Sequence, residues 1–186
     1  MKNSQRNELA ICGLEPVRAV ARVRPGDVLR FFYTEDRSRD FGTLCSMLAK
    51  SRRPYRMVGA DELERLSGPV HHQGVVAMVA DTPLQPVTDA LVASWSGACA
   101  RIVVLDGVGD DHNIGSIARS AAFFGWTAMV VTGTAVRLTT SAYRVARGAL
   151  EHIPVYSDAS AEAFIRRCGT GRSEERRVGK ECRSRW

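Results

Sequence analysis

A chain of 186 residues, 45% apolar and 25% charged, has enough material for one sizeable domain or two small ones of ordinary globular composition. No apolar run approaches the roughly 18 to 20 residues that span a bilayer, and the start MKNSQRNEL lacks the apolar stretch of a secretory signal, so a cytoplasmic protein is expected rather than a membrane or secreted one. The formal charge of +6 makes a polyanion a fair partner, although residues 172–186, with six Lys/Arg and three Glu, carry half of that excess.

Residues 8–80 read as alternating helices and strands. Pro16 suits the first turn of a helix reaching about Arg22, and Pro25-Gly26-Asp27 ends it. The apolar and aromatic run 28–33 reads as a buried strand, with Phe31, Phe32 and Tyr33 as core rather than a base-stacking platform. Ser38 can cap a helix carrying Phe41, Leu44, Cys45 and Leu48 at helical spacing. Residues 54–58 form a second strand. Asp61, with Glu64 three residues on, resembles a capping box for a short helix ending near Gly68. The run 74–80, GVVAMVA, is a third buried strand.

Residues 81–87, DTPLQPV, read as a linker, and a helix follows over 87–96. The run 101–106, RIVVLD, has the continuous apolar character of a parallel strand covered on both faces. A helix over 113–124 and a strand over 127–131 complete a βαβ unit with a right-handed crossover. A helix over 141–150, a strand over 153–156 and a helix over 160–168 continue the pattern. From Gly169 the chain turns charged, with one Val and one Trp as its only large apolar residues, and reads as a disordered tail, non-native or, as the alternative, a native basic tail. Five cysteines without a C-x-x-C pair argue against a disulfide framework or a zinc cluster, and no metal is expected.

The segment 105–125, LDGVGDDHNIGSIARSAAFFG, carries the chemistry. A strand ends at Asp106, a glycine-bearing loop runs to His112, and a helix opens at Asn113, a good N-cap. Such turns lie at the carboxyl edge of a parallel sheet, where open α/β folds bind ligands. Gly115 and Arg119 are four residues apart, so the glycine is expected to leave space one turn below the guanidinium for a phosphate or ribose. From spacing alone, a solvated helix with an exposed arginine fits as well. His112 is a candidate phosphate contact. Arg52, Arg53 and Arg56 form a denser basic cluster than the scattered Arg18, Arg22, Arg24 and Arg30, and are the better candidates for nucleic-acid backbone. His71, His72, Glu151 and His152 read as turn and helix-end residues, with a site role open for each. Trp126 is expected to pack behind the motif helix.

The pattern N-x-G-x-x-x-R-x-A-x-x-F-G, from Asn113 through Gly115, Arg119, Ala121 and Phe124 to Gly125, resembles the first signature of the SpoU/TrmH RNA methyltransferases. Residues 143–155, YRVARGALEHIPV, resemble that family's next segment. ICGLEPVRAV and HHQGVVAMV resemble the first helix and last strand of the RNA-binding domain that precedes the catalytic domain in many members, in a layout nearest the YfiF-like branch. The resemblance covers about residues 8–168. It implies an α/β chain: a small ribosomal-protein-like α/β RNA-binding domain (8–80), a linker and helix (81–100), and the N-terminal half of an α/β-knot (SPOUT) parallel-sheet domain (101–168). It implies methyl transfer from S-adenosylmethionine to a ribose 2′-hydroxyl of tRNA or rRNA, with Arg119 as the catalytic residue and Asn113 supporting it. Gly115, His112, Arg52, Arg53 and Arg56 are the candidate substrate-binding residues.

Two later signatures that build the knot, the cofactor pocket and most of the homodimer interface are not found before the charged tail. The expectation is therefore an inactive fragment of an enzyme, with cofactor-binding residues absent and dimerisation doubtful. A non-catalytic RNA-binding module is the competing reading. A Rossmann-type nucleotide enzyme is disfavoured, because no G-x-G-x-x-G opens the helix.

Overall fold

Two four-stranded sheets organise the chain in a computed structural model that describes residues 7–68, 71–98, 100–133 and 137–168. The tail 169–186 lies outside the described residues. In the front sheet the strands are β1 (Glu8–Cys12), β2 (Val28–Tyr33), β3 (Tyr55–Met57) and β4 (Val75–Ala80), in spatial order β1-β4-β2-β3. β4 runs antiparallel to both neighbours, while β2 and β3 are parallel.

Alternation along β4 explains why its sequence is apolar throughout. Val75, Ala77 and Val79 face α1 (Leu14–Val23) and α2 (Gly42–Lys50), packing with Val17, Val20, Leu44 and Leu48. Val76 and Met78 face the other way, with Ala10, Cys12, Phe32 and Leu63 of α3 (Ala60–Ser67). Each fully buried Val or Leu contributes roughly 1.5–3 kcal/mol relative to exposure, so both faces are needed for a unit this small.

Strand β1 differs from the sequence expectation, in which ICGL opens a helix: Ile11 and Cys12 end the strand, and α1 starts only at Leu14. Gly13, at φ 100°, breaks the chain between the strand and α1, and the Gln73 side chain accepts the Leu14 N–H at 3.0 Å. Two expected caps also move. Ser38 lies within a 3-10 segment, Glu35–Phe41, before α2 begins. Asp61 sits in the first turn of α3, after Gly59 at the N-cap, with no side-chain capping bond.

The back sheet is parallel throughout, in the order β5-β8-β7-β6: β5 (Gln85–Pro86), β6 (Ile102–Leu105), β7 (Ala128–Thr132) and β8 (Val155–Asp158). α5 (Asp111–Phe123) and α6 (Thr140–Ala146) cover one face through Ile114, Ala118, Ala121, Ala142 and Ala146. α4 (Asp89–Gly97) and α7 (Ala161–Cys168) cover the other, through Val92, Trp95 and Phe164. The stretch read as linker and helix thus supplies an edge strand and a packed helix to this sheet. α6 is shorter than its sequence suggested: Arg147 and Gly148 both take left-handed backbone and stop it.

The two units touch. α6 lies between α5 and β1, and Tyr143 packs against the cores of both sheets.

Burial pushes the Cys12 thiol up from 9.0 to about 12. Between those values the folded chain binds more protons than the unfolded one, so this group's contribution is complete below pH 9 and is lost as pH rises towards 12. Alkaline unfolding titrations should therefore be shallower in slope for Cys12→Ala than for the parent chain. Iodoacetamide at pH 8 should modify Cys12 only after denaturation, as read by peptide mass spectrometry.

Candidate active site

The motif forms a strand, a loop and a helix. β6 ends at Leu105, and the Thr132 hydroxyl at the end of β7 donates to Asp106 Oδ1 at 2.7 Å, tying the loop's first residue to the neighbouring strand. Gly107, at φ 66°, turns the chain. Asp110 then caps α5, its Oδ1 accepting the His112 N–H at 2.9 Å. Asn113 is therefore not the N-cap; the aspartate three residues upstream takes that position, and Asn113 stands exposed in the first turn. His112 is exposed beside it. The loop and helix start lie at the carboxyl ends of β6 and β7, the edge where α/β sheets take ligands.

Arg119 projects from α5 into solvent and forms no ion pair among the described residues. It borders an open hollow of about 270 Å³, with Val103, Ser116, Ile117, Phe124 and Trp126 among its lining. Ser116 and Ser120 line the same hollow, whereas Asn113, six residues before Arg119, is not part of it. Trp126 packs, half-buried, behind the helix.

Gly115 does something other than the sequence suggested. It is buried, and a Cβ placed there would lie 2.6 Å from the Ala142 carbonyl oxygen and 2.8 Å from Val145 Cβ. It opens no space beneath Arg119; it lets α5 and α6 approach closely. The basic cluster also disperses. The Arg53 guanidinium donates to the carbonyls of Gly26 and Val28, so it braces the chain rather than presenting charge. Arg56 is paired with Glu62 at 2.6 Å and lies over the Phe32 ring. Of these three arginines, only Arg52 is both exposed and without an ion pair or hydrogen bond among the described residues, at φ 54° after α2.

The histidine pair is split in role: the ring of His72 accepts the Gly74 N–H through Nδ1 at 3.0 Å, while His71 is exposed. Of the first-unit arginines, Arg18 pairs with Glu15 and Asp40, and Arg30 with Glu8. Glu151 closes a 3-10 turn, Ala149–Glu151, at a helix end as the sequence suggests. Its side chain is 3% exposed and holds Arg24 of the front unit. Nothing local in GALEH announces that partner, which lies 127 residues away in sequence.

A nucleoside cofactor of the size of S-adenosylmethionine needs an enclosing pocket of roughly 300–1,000 Å³. The described residues around Arg119 offer only the open hollow, so they do not by themselves form such a site. Among the described residues no helix is long and apolar enough to cross a membrane.

Residues 10–86 match the model of the RNA 2′-O ribose methyltransferase substrate-binding domain, and residues 100–174 match that of the SpoU rRNA methylase family. An uncharacterized tRNA/rRNA methyltransferase of Haemophilus influenzae is 29% identical over 83% of this chain and 44% of its own length. The 23S rRNA (guanosine-2′-O-)-methyltransferase RlmB of Bordetella pertussis is 32% identical over 73% of this chain and 56% of its own. The AdoMet-bound rRNA methyltransferase of Sinorhizobium meliloti shares the fold, with a TM-score of 0.63 at 19% identity, over 88% of this chain and 59% of that one. So does the SpoU methyltransferase AviRb of Streptomyces viridochromogenes in complex with AdoMet, with a TM-score of 0.60 at 22% identity, over 89% and 60%. The chain spans about half the length of the curated relatives it matches. Front unit on the substrate-binding model and back unit on the methylase model, in that order along the sequence, the chain belongs to the SpoU family of RNA methylases.

Proposed function

We propose that this chain is the RNA-binding front and the arginine-bearing half of an enzyme that methylates a ribose 2′-hydroxyl of tRNA or rRNA, with S-adenosylmethionine as the methyl donor. The observation that carries the reading is Arg119: a guanidinium without a carboxylate partner among the described residues, bordering an open hollow on the exposed side of a helix that opens at the carboxyl edge of a parallel sheet. A ribose hydroxyl is a poor nucleophile and must shed its proton as its oxygen attacks. A guanidinium keeps its charge under ordinary conditions, so Arg119 acts as a stabiliser of the developing alkoxide rather than as a base. Asn113 supports it by orienting the sugar, and His112 meets a neighbouring phosphate near the positive end of α5. Arg52 remains a backbone contact on the front unit; Arg53, Arg56 and Gly115 serve the fold. The reading also takes in a homodimer for the full-length enzyme, checked by the mass of such a protein in sedimentation.

The test is a titration of the chain with a structured RNA oligonucleotide at two salt concentrations. Affinity should fall with salt by a slope of roughly 0.7–0.9 per phosphate contacted. The side-chain NMR signals of Arg119 and Asn113 should shift, and Arg119→Ala should weaken binding about fivefold, the worth of one exposed charge contact near 1 kcal/mol. If RNA binds while both signals stay still, the catalytic assignment fails and the chain is a binding module. If no RNA binds, the whole reading fails.

A further inference from the structure

We propose that Arg24, Glu151 and Tyr143 are positioning residues: a buried latch that fixes the front unit on the back unit, so that RNA meets both as one rigid surface. Its functional half rests on the RNA reading above; its structural half does not.

The chemistry of the pair is selective for one docking geometry. Arg24 closes α1 of the front unit, and its fork meets the Glu151 carboxylate with two parallel bonds, Nε to Oε2 at 2.6 Å and Nη2 to Oε1 at 2.8 Å. The Glu151 side chain is 3% exposed, and no other bond to its carboxylate is found among the described residues. A carboxylate in that position is costly unless the guanidinium is seated, because a buried charge left alone is strongly disfavoured whereas the pair itself adds little net stability. Such a pair therefore discriminates between arrangements more than it strengthens any one of them. Arg24 Nη2 also donates to the Tyr143 hydroxyl at 3.4 Å, and that ring packs on both cores. The Glu151 carboxylate holds Arg24 even more firmly protonated than a free arginine, and burial raises the Tyr143 hydroxyl.

Backbone shape prepares the same contact. Gly148, at φ 89°, lies where a Cβ would be 2.8 Å from Ala19 Cβ and 3.2 Å from the Glu15 carbonyl oxygen, so α1 rests directly on the turn that carries Glu151. Two further tethers lie apart from the latch. Arg144 Nε donates to the His71 carbonyl at 3.0 Å, and Arg137 pairs with the buried Asp81 at 3.1 Å. Three separated attachments fix rotation as well as distance. RNA bound to the front unit would then lie at a set distance from Arg119.

The experiment compares the whole chain with Arg24→Ala, Arg24→Lys and Glu151→Gln. Thermolysin cleavage before Leu84, in the segment joining the units, reports undocking. Calorimetry reports whether the units unfold together, and RNA affinity reports the functional consequence. The parent should resist cleavage and unfold in one transition. Arg24→Ala should be cut on the order of tenfold faster and unfold in two transitions, since removing one partner exposes a buried charge to the full penalty. Arg24→Lys should fall between them, because an ammonium lacks the fork. Glu151→Gln keeps the shape and should still speed cleavage, so the proposal stays testable if Arg24→Ala does not fold. A pair that merely stabilised one unit would lower that unit's unfolding temperature and leave the linker protected. Cleavage at the parent rate in both Arg24→Ala and Glu151→Gln overturns the latch, whatever RNA does. Linker protection that depends on Arg24 in a chain that binds no RNA keeps the latch and removes the RNA reading. RNA affinity about tenfold lower in Arg24→Ala, with faster cleavage, supports both.

Discussion

Gly115→Ala is expected to lower the stability of the back unit by about 1–2 kcal/mol, and Gly115→Val by roughly 3 kcal/mol or more, measured as a fall in the denaturant midpoint without change of slope. The sign is not obvious from the helix alone. Alanine in place of a helical glycine gains about 1 kcal/mol of propensity. Against that stand three contacts that an added Cβ would make across the helix pair: the Ala142 carbonyl oxygen at 2.6 Å, Val145 Cβ at 2.8 Å and the Ala146 nitrogen at 3.0 Å. Two of the three are backbone atoms, which cannot swing aside as a flexible side chain would. α6 cannot retreat freely either, because β1 of the front unit lies behind it. α5 must therefore lift from α6, opening the packing of Ile114, Ala118, Ala142 and Ala146. Overpacking of this kind costs about 1–3 kcal/mol and outweighs the propensity gain. A β-branched valine adds a second clash without the same propensity benefit. Because α5 carries Arg119 on its outer side, the same shift would move the guanidinium, and RNA affinity should fall with stability. A neutral or stabilised Gly115→Ala would mean that the two helices do not meet as described.

That glycine also marks where sequence reading works and where it stops. Continuous apolar runs were legible as buried strands, GVVAMVA, RIVVLD and AMVV among them, and the strand, loop and helix around Asp106 follow from local chemistry. β1 was not legible, because ELAIC is short, carries a charge at its first position and runs into a helix after one glycine. Its identity depends on β4, some seventy residues later in sequence, and on Arg30 receiving Glu8. The site divides in the same way. Arg119 is exposed on α5, as one reading of the helix alone allows, while Asn113 is exposed in the first turn rather than capping it. Gly115 points instead at a neighbour that no single-helix argument contains. Arg53 and Arg56 looked like a basic cluster because they are close in sequence, yet one serves backbone carbonyls and the other an acidic helix on a different side of the sheet. Sequence alone puts the cap at Asn113, because a lone helix start cannot show how the loop before it folds; in the folded loop Asp110 takes that position and accepts the His112 N–H.

Glu8→Ala is the second substitution with a large expected effect, a loss of about 2–4 kcal/mol in the front unit. Glu8 and Arg30 lie on the same face of the front sheet, on strands that flank β4, and their side chains meet across Met78. Glu8 is 8% exposed and the Arg30 side chain 16%, with the Arg30 ring contact to Phe32 at 5.7 Å. Arg30 Nε is buried and has no partner among the described residues, so the carboxylate carries nearly all the compensation for that guanidinium. Truncating Glu8 leaves a cation under α3 with only an aromatic face for company. Glu8→Gln keeps a hydrogen-bond acceptor and should cost about half as much. The double substitution Glu8→Met with Arg30→Met removes both charges and fills similar volume. It should fall within about 1 kcal/mol of the parent or exceed it, because replacing a buried pair by apolar groups is often neutral or stabilising. Chemical denaturation of the parent, Glu8→Met, Arg30→Met and the double variant measures the coupling directly. A Glu8→Ala loss no larger than that of the double variant would mean that water reaches the pair, and that apolar contacts alone join β1 to the front sheet.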